Sequence, residues 1–298
     1  MPRVRITFLG TAGSAPTVER NPISVLLEYQ GRGFLFDVGE GTQRQFMKFK
    51  RSMLKVQHVF ISHIHGDHVF GLPGILHTMA LLDRSTPLHV WVPEDQVHRL
   101  EEFVRAIPTR FPYDVFFHGV SPGQVIIEEA QYHVHTYALD HTIPTLAYVW
   151  EEKPRKKADK EKLKALGLYN NPLVRKLKEG VAVQWRGKII QPEDVVYEVP
   201  GIKVVYAVDT RPVLNERARG ADLLIHDGTF GPAEQELAVD KKHSTVVEAA
   251  ELAKTLGVKH LALVHISARY KETTTLLEEA KKIFPRTIIP SDGDVVEI

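Results

Sequence analysis

Cysteine is absent from the 298-residue chain. That excludes disulfides and thiolate metal sites, so any zinc must be held by histidine and carboxylate. No stretch of about 18 consecutive apolar residues occurs, which excludes a membrane-spanning helix. The chain passes from Met1 straight into the strand-like Val4–Leu9, without the charged, apolar and small-residue regions of a secretory signal. A cytoplasmic location fits these absences. Net charge is nearly absent too, at +1, but the average hides an asymmetry. From Glu151 to Lys188 twelve Lys or Arg stand against five Asp or Glu, which leaves the remainder at about −6. One concentrated basic segment in a nearly neutral chain suggests a polyanionic partner gripped at one place.

What is present is a soluble-protein composition, 43% hydrophobic and 25% charged, enough for a sizeable core. Short β-rich runs separated by turn signals open the chain. Val4–Leu9, Ser24–Tyr29 and Phe34–Phe36 read as strands, the last two joined as a hairpin through Gly31-Arg32-Gly33. Gly41 to Lys50 reads as a short helix, Val56–Ile61 as a strand, Gly71–Leu82 as a helix and Leu88–Val92 as a strand. Pro93-Glu94-Asp95 opens a helix running to Ile107. Strand signals return at Val125–Glu128, Tyr132–Leu139 and Leu146–Trp150, and after the basic segment at Val204–Val208, Leu223–Ile225, His260–Val264 and Thr287–Ile289. Ser244–Leu256 and Thr273–Ile283 read as helices. Two strand-rich halves, each followed by helices, predict two sheets packed together with helices outside, an α/β (α+β) fold.

The chemistry is concentrated in His63-Ile64-His65-Gly66-Asp67-His68, four potential metal ligands in six residues directly after a buried strand. Gly66 is expected to let the loop turn sharply. Imidazole and carboxylate suit zinc, and paired ions about 3.5–4 Å apart can present a hydroxide for in-line displacement at phosphorus. A plain polar loop capping a helix is the alternative, and a cluster this dense rarely arises that way. Two ions need further ligands. The candidates are His141, Asp209 and His265, each of which follows an apolar strand as His63 does.

These residues resemble the metallo-β-lactamase superfamily and, within it, the ribonuclease Z family of tRNA 3′-end endonucleases. The resemblance is carried by Phe8-Leu9-Gly10-Thr11, by Pro16 to Asn21 and by Phe34 to Gln45. It continues through Ile61 to Gly74, His243-Ser244-Thr245 and His265-Ile266-Ser267-Ala268-Arg269-Tyr270. It implies a single domain over residues 1–298, an αββα sandwich of two mixed sheets with outer helices and an inserted flexible arm. It also implies two zinc ions per subunit, with His63, His65 and His141 on one, Asp67, His68 and His265 on the other, and Asp209 between them. Asp37 would orient the ligand loop, Asp67 would accept the proton of the attacking water, and His243 would donate a proton to the leaving group. Where the family usually carries His-Glu-Ala-Thr this chain has His226-Asp227-Gly228-Thr229. Asp227 is then the shorter carboxylate that must reach His243.

The same resemblance implies zinc-dependent removal of the 3′ trailer from tRNA precursors by a homodimer, and it makes residues 151–194 a basic tRNA-binding arm with Asn171-Pro172 at its tip. Lysine contacts to phosphate give affinity without base readout, which suits an enzyme that accepts every precursor. Two other readings compete. A phosphodiesterase or esterase of the same fold acting on small substrates would share the metal cluster but would not need the basic arm. A non-catalytic RNA-binding protein would be expected to have lost some of the seven ligands.

Overall fold

The computed structural model describes residues 3–107 and 110–298. Alternating apolar runs of the first half assemble into a seven-stranded mixed sheet. Its order is Val295–Glu297, Val4–Gly10, Ser24–Tyr29, Arg32–Phe36, Val56–Phe60, Leu88–Pro93 and Val115–Val120. The expected hairpin forms with Tyr29 opposite Arg32, so its turn is Gln30-Gly31, one residue earlier than the glycine spacing suggested. Both turn residues have positive φ, at 49° and 81°, the combination whose twist matches that of the flanking strands. The second sheet runs Thr287–Ile288, Leu261–Val264, Leu223–Asp227, Lys203–Ala207, Thr145–Glu152, Tyr132–Leu139 and Val125–Glu128.

The sheets face each other across a core rich in aromatics, including Phe8, Phe34, Phe36, Phe60, Tyr148, Trp150 and Tyr206. Phe36 stacks on both Phe60 and Tyr206 with ring centroids 5.1 Å apart. Each fully buried ring of this kind contributes about 1.5–3 kcal/mol. Helices Leu72–Leu81 and Val97–Arg105 cover the outer face of the first sheet, and Val246–Leu256 and Thr274–Ile283 cover the second. The four layers are those expected. Helix Val246–Leu256 begins at Thr245, whose hydroxyl accepts from Glu248 N while the Glu248 carboxylate accepts from Thr245 N. Among the described residues no helix is long and apolar enough to cross a membrane.

Strand pairing puts the C-terminal ends of Arg32–Phe36, Val56–Phe60, Tyr132–Leu139, Lys203–Ala207 and Leu261–Val264 along one rim of the sandwich. The basic segment leaves from Glu152, at the opposite end of a strand of eight residues, or about 25 Å at 3.3 Å per residue. It is folded. Arg155–Ala158 pairs with Val196–Val199, Lys160–Ala165 and Leu173–Lys178 are helical, and Val183–Trp185 pairs with Lys188–Ile190. Leu163, Leu168, Leu177, Val183, Ile190 and Val195 form a small core of its own.

Candidate metal centre

Chain direction at the rim is set by unusual backbone. Asp37, Asp209 and His265, each just beyond a strand, have φ of 49°, 54° and 62°. A non-glycine residue in this left-handed region costs about 1–2 kcal/mol, a cost found where geometry serves function. Gly66 behaves otherwise. Its φ is not positive; it opens the short helix Gly66–Val69, and a Cβ there would lie 2.3 Å from the Phe70 ring. The expected sharp turn through positive φ is therefore not made at this glycine.

All seven ligand candidates converge. Donor atoms of His63, His65, His141 and Asp209 lie within 4.8 Å of one another, as do those of Asp67, His68 and His265. Asp209 lies between the groups: its Oδ2 is 3.7 Å from His63 Nε2, 3.7 Å from His141 Nε2 and 3.4 Å from His68 Nε2, while Oδ1 is 3.1 Å from His265 Nε2. Two donors about 2.0–2.1 Å from a shared tetrahedral ion stand roughly 3.4 Å apart, so most of these separations suit a common cation better than a hydrogen bond. His68 Nε2, His141 Nε2 and Asp209 Oδ1 are buried without a hydrogen-bond partner among the described residues. Leaving such atoms unmatched costs about 1–3 kcal/mol each. The donor set fits divalent metal ions.

Backbone and side-chain partners hold the rings so that the correct nitrogen faces inward. Asp37 is fully buried and accepts four hydrogen bonds, from Ser62 N (2.7 Å), Ser62 Oγ (2.8 Å), Tyr206 OH (2.8 Å) and His68 Nδ1 (2.8 Å). His141 Nδ1 donates to the Lys242 carbonyl at 3.1 Å, and His265 Nδ1 meets Thr229 Oγ1 at 2.9 Å. Burial lowers the pKa of His63, His65 and His141, which favours the neutral ring a metal requires. Burial alone would raise Asp209, but His265 and His68 hold it well below the ordinary carboxylate value. Desolvation likewise opposes ionisation of Asp67, yet His265 and His68 bring it down to about 2, and Ser14 N donates to its Oδ2 at 2.8 Å.

Asp37→Ala would strip all four donors of their acceptor. Expected are a roughly 10–100-fold loss of metal affinity and about 3–5 kcal/mol of stability, read by metal titration and thermal unfolding. Unchanged metal affinity would show that His68 is oriented by something else.

His243 adjoins this group. Its Nδ1 lies 2.7 Å from Asp227 Oδ2, so the shorter carboxylate does reach, and its ring stacks on His265 at 5.2 Å. Arg211 holds the loop by donating to the His243 carbonyl at 2.5 Å while also pairing with Glu248. Burial disfavours the charged ring of His243, but Asp227 outweighs it and raises the pKa to about 9. The cleft outside, about 430 Å³, is lined by His65, Asp67, His141, Asp209 and His243 with Lys241 and Arg269 at its edge.

Gln96 escaped the sequence reading. Nearly fully buried, it accepts from Ile64 N at 2.9 Å and donates to the Pro144 carbonyl at 2.6 Å, tying the His63–His68 loop to the loop that carries His141. Nothing in its local sequence marks it, because both partners are backbone atoms distant along the chain.

Known proteins align with this chain over its whole length. Ribonuclease Z of Methanothermobacter thermautotrophicus is 40% identical over 299 residues, spanning 99% of this chain and 97% of the relative. Ribonuclease Z of Natronomonas pharaonis is 41% identical over 302 residues, with 99% and 98% covered. Among solved structures, human short-form tRNase Z has a TM-score of 0.72 at 24% identity with 99% of each chain covered, and a metallo-β-lactamase fold protein from Bacillus subtilis a TM-score of 0.70 at 16% with 100% of each covered. At those identities they speak for the fold. The family model described as Anti-Pycsar protein Apyc1 matches residues 4–108, which include His63–His68 but not His141, Asp209, His243 or His265. With full-length relatives at this level of identity, the chain belongs to the ribonuclease Z family and has its metallo-β-lactamase fold.

Proposed function

We infer that this protein is a zinc-dependent endoribonuclease that removes the 3′ trailer from tRNA precursors, leaving a 3′-hydroxyl on the tRNA and a 5′-phosphate on the trailer. The observation that carries the reading is the convergence of seven candidate metal-ligating side chains beneath one cleft lined by His243, in a chain colinear with Ribonuclease Z relatives. His63, His65 and His141 would hold one zinc ion and Asp67, His68 and His265 a second, with Asp209 shared. Such ions, when bound, neutralise charge on the non-bridging phosphate oxygens and make water a better nucleophile.

The chain's own groups supply the rest. Asp67, ionised at neutral pH, accepts the attacking water's hydrogen bond and, as the oxygen attacks, takes its proton and releases it to solvent in the cleft. Oxygen adds to phosphorus as the bond to the upstream 3′ oxygen breaks, and His243, charged at neutral pH, protonates that oxygen. Lys241 and Arg269 at the mouth of the cleft attract the phosphate backbone. Incubation with a 3′-extended precursor, with and without chelator, tests the reading. Expected is one chelator-sensitive cut at the end of the acceptor stem. Hydrolysis of small phosphodiesters with the precursor left intact would favour the small-substrate alternative.

Residues 151–194 serve as the tRNA-binding arm in this reading. Lys153, Arg155, Lys164 and Arg175 are paired with carboxylates, whereas the other eight cations of the segment have none within 4.0 Å among the described residues. Replacing Lys156, Lys157 and Lys160 by alanine should weaken precursor binding and flatten the dependence of log K on log salt by about 2–3, with small phosphodiester hydrolysis unchanged. An unaltered slope would make these lysines bystanders.

The arm leaves the sheet at the end away from its own cleft, which supports a homodimer in which each arm serves the neighbouring subunit's substrate. Light scattering of the purified protein should give twice the 33.7 kDa chain mass, and a monomeric mass would sink that arrangement.

A further inference from the structure

A second cluster of ligating side chains lies away from the cleft. His133 and His135 are two residues apart on strand Tyr132–Leu139, so both point to the outer face of the second sheet while Val134 between them enters the core. Glu151 on the neighbouring antiparallel strand lies directly opposite His133. One oxygen of that carboxylate, Oε2, is 3.4 Å from His133 Nε2 and 3.7 Å from His135 Nε2. The donor atoms of all three residues fall within 4.8 Å of one another. His135 is buried and the other two are half-buried, so the group is shielded on one side and open on the other.

These spacings are long for hydrogen bonds. They are close to the roughly 3.4 Å that separates two donors of one tetrahedral zinc ion with bonds of about 2.0–2.1 Å. Lys203 Nζ sits 3.5 Å from the other carboxylate oxygen, Oε1, which orients Glu151 and leaves Oε2 to the imidazoles. The backbones of two paired strands preset the positions, so little needs to be ordered on binding. We propose that His133, His135 and Glu151 form a further divalent-cation site of the zinc class, with two imidazoles, one carboxylate and a remaining position for water. It lies on the strand that runs into Glu152, at the root of the basic arm, where an ion would cross-link the strand pair from which the arm departs.

Zinc bound per chain, measured by elemental analysis after equilibrium dialysis of the full protein against zinc, tests this. His133→Gln/His135→Gln should bind one zinc fewer than the parent while hydrolysing a small phosphodiester at the parental rate. Because the readout is a difference, it does not depend on how many ions the main cleft holds. Equal zinc content in parent and variant overturns the proposal. Should the double variant lose hydrolysis, and hence its fold, Glu151→Gln, which keeps the side chain's size, decides in its place: the loss of one zinc supports the site, and no loss overturns it.

Discussion

Asp209→Ala should empty the main cleft of metal and abolish precursor cleavage. This carboxylate lies within 4.0 Å of four imidazoles, those of His63, His68, His141 and His265. Removing it takes a donor from both ligand groups and strips His63 and His141 of the carboxylate that pairs with them, while His68 keeps Asp37 and Asp67 and His265 keeps Asp67. The loss should exceed the roughly 10–100-fold that follows removal of a partner outside the ligand set. Metal content by elemental analysis and cleavage of a 3′-extended precursor are the two measurements. Full metal content in this variant would sink the assignment of Asp209 as the shared ligand.

His243→Ala has the second largest expected effect, and its signature differs. Turnover should fall about 100- to 10,000-fold, the range for loss of a positioned proton donor, while metal content stays at the parental level. A loss of metal would reassign His243 as a ligand. The pH profile carries the second half of the test. A ring whose pKa is raised to about 9 is charged below that value, so its contribution is complete at neutral pH and is lost as the pH rises through about 9. Asp227 is the group that raises it, so Asp227→Asn should move the alkaline limb to lower pH. An unmoved limb would mean that His243 is not the proton donor.

Much of this arrangement was legible before any coordinates. The loop from His63 to His68 stands out because its ligand density is high and an apolar strand precedes it. His141, Asp209 and His265 share that strand-end position, and strand pairing then brings them to one rim. The positive φ at Asp209 and His265 was not legible, because aspartate and histidine occur far more often with ordinary backbone and only the surrounding fold compels the exception. Strand Val115–Val120 went unread. Its Phe116-Phe117-His118-Gly119 does not alternate, since an edge strand is only partly covered on both faces. The arm's own core was hidden for a similar reason: Leu163, Leu168 and Leu177 are thinly spread among lysines, and composition reported the charge alone. The helix Gln235–Lys241, which sets up the Lys242 carbonyl for His141, carries no strong amphipathic pattern to announce it.

The division of ligands between the sheets has a consequence for the protein's biosynthesis. His63, His65, Asp67 and His68 come from the first sheet, while His141, Asp209 and His265 come from the second. Each proposed ion therefore takes two ligands from each sheet, and the last of them follows the strand Leu261–Val264. A chain still on the ribosome displays the first sheet's histidines long before their counterparts emerge. On the proposed ligand assignment it cannot gather either set, so cleavage activity is expected only once the chain is nearly complete and its two halves have closed.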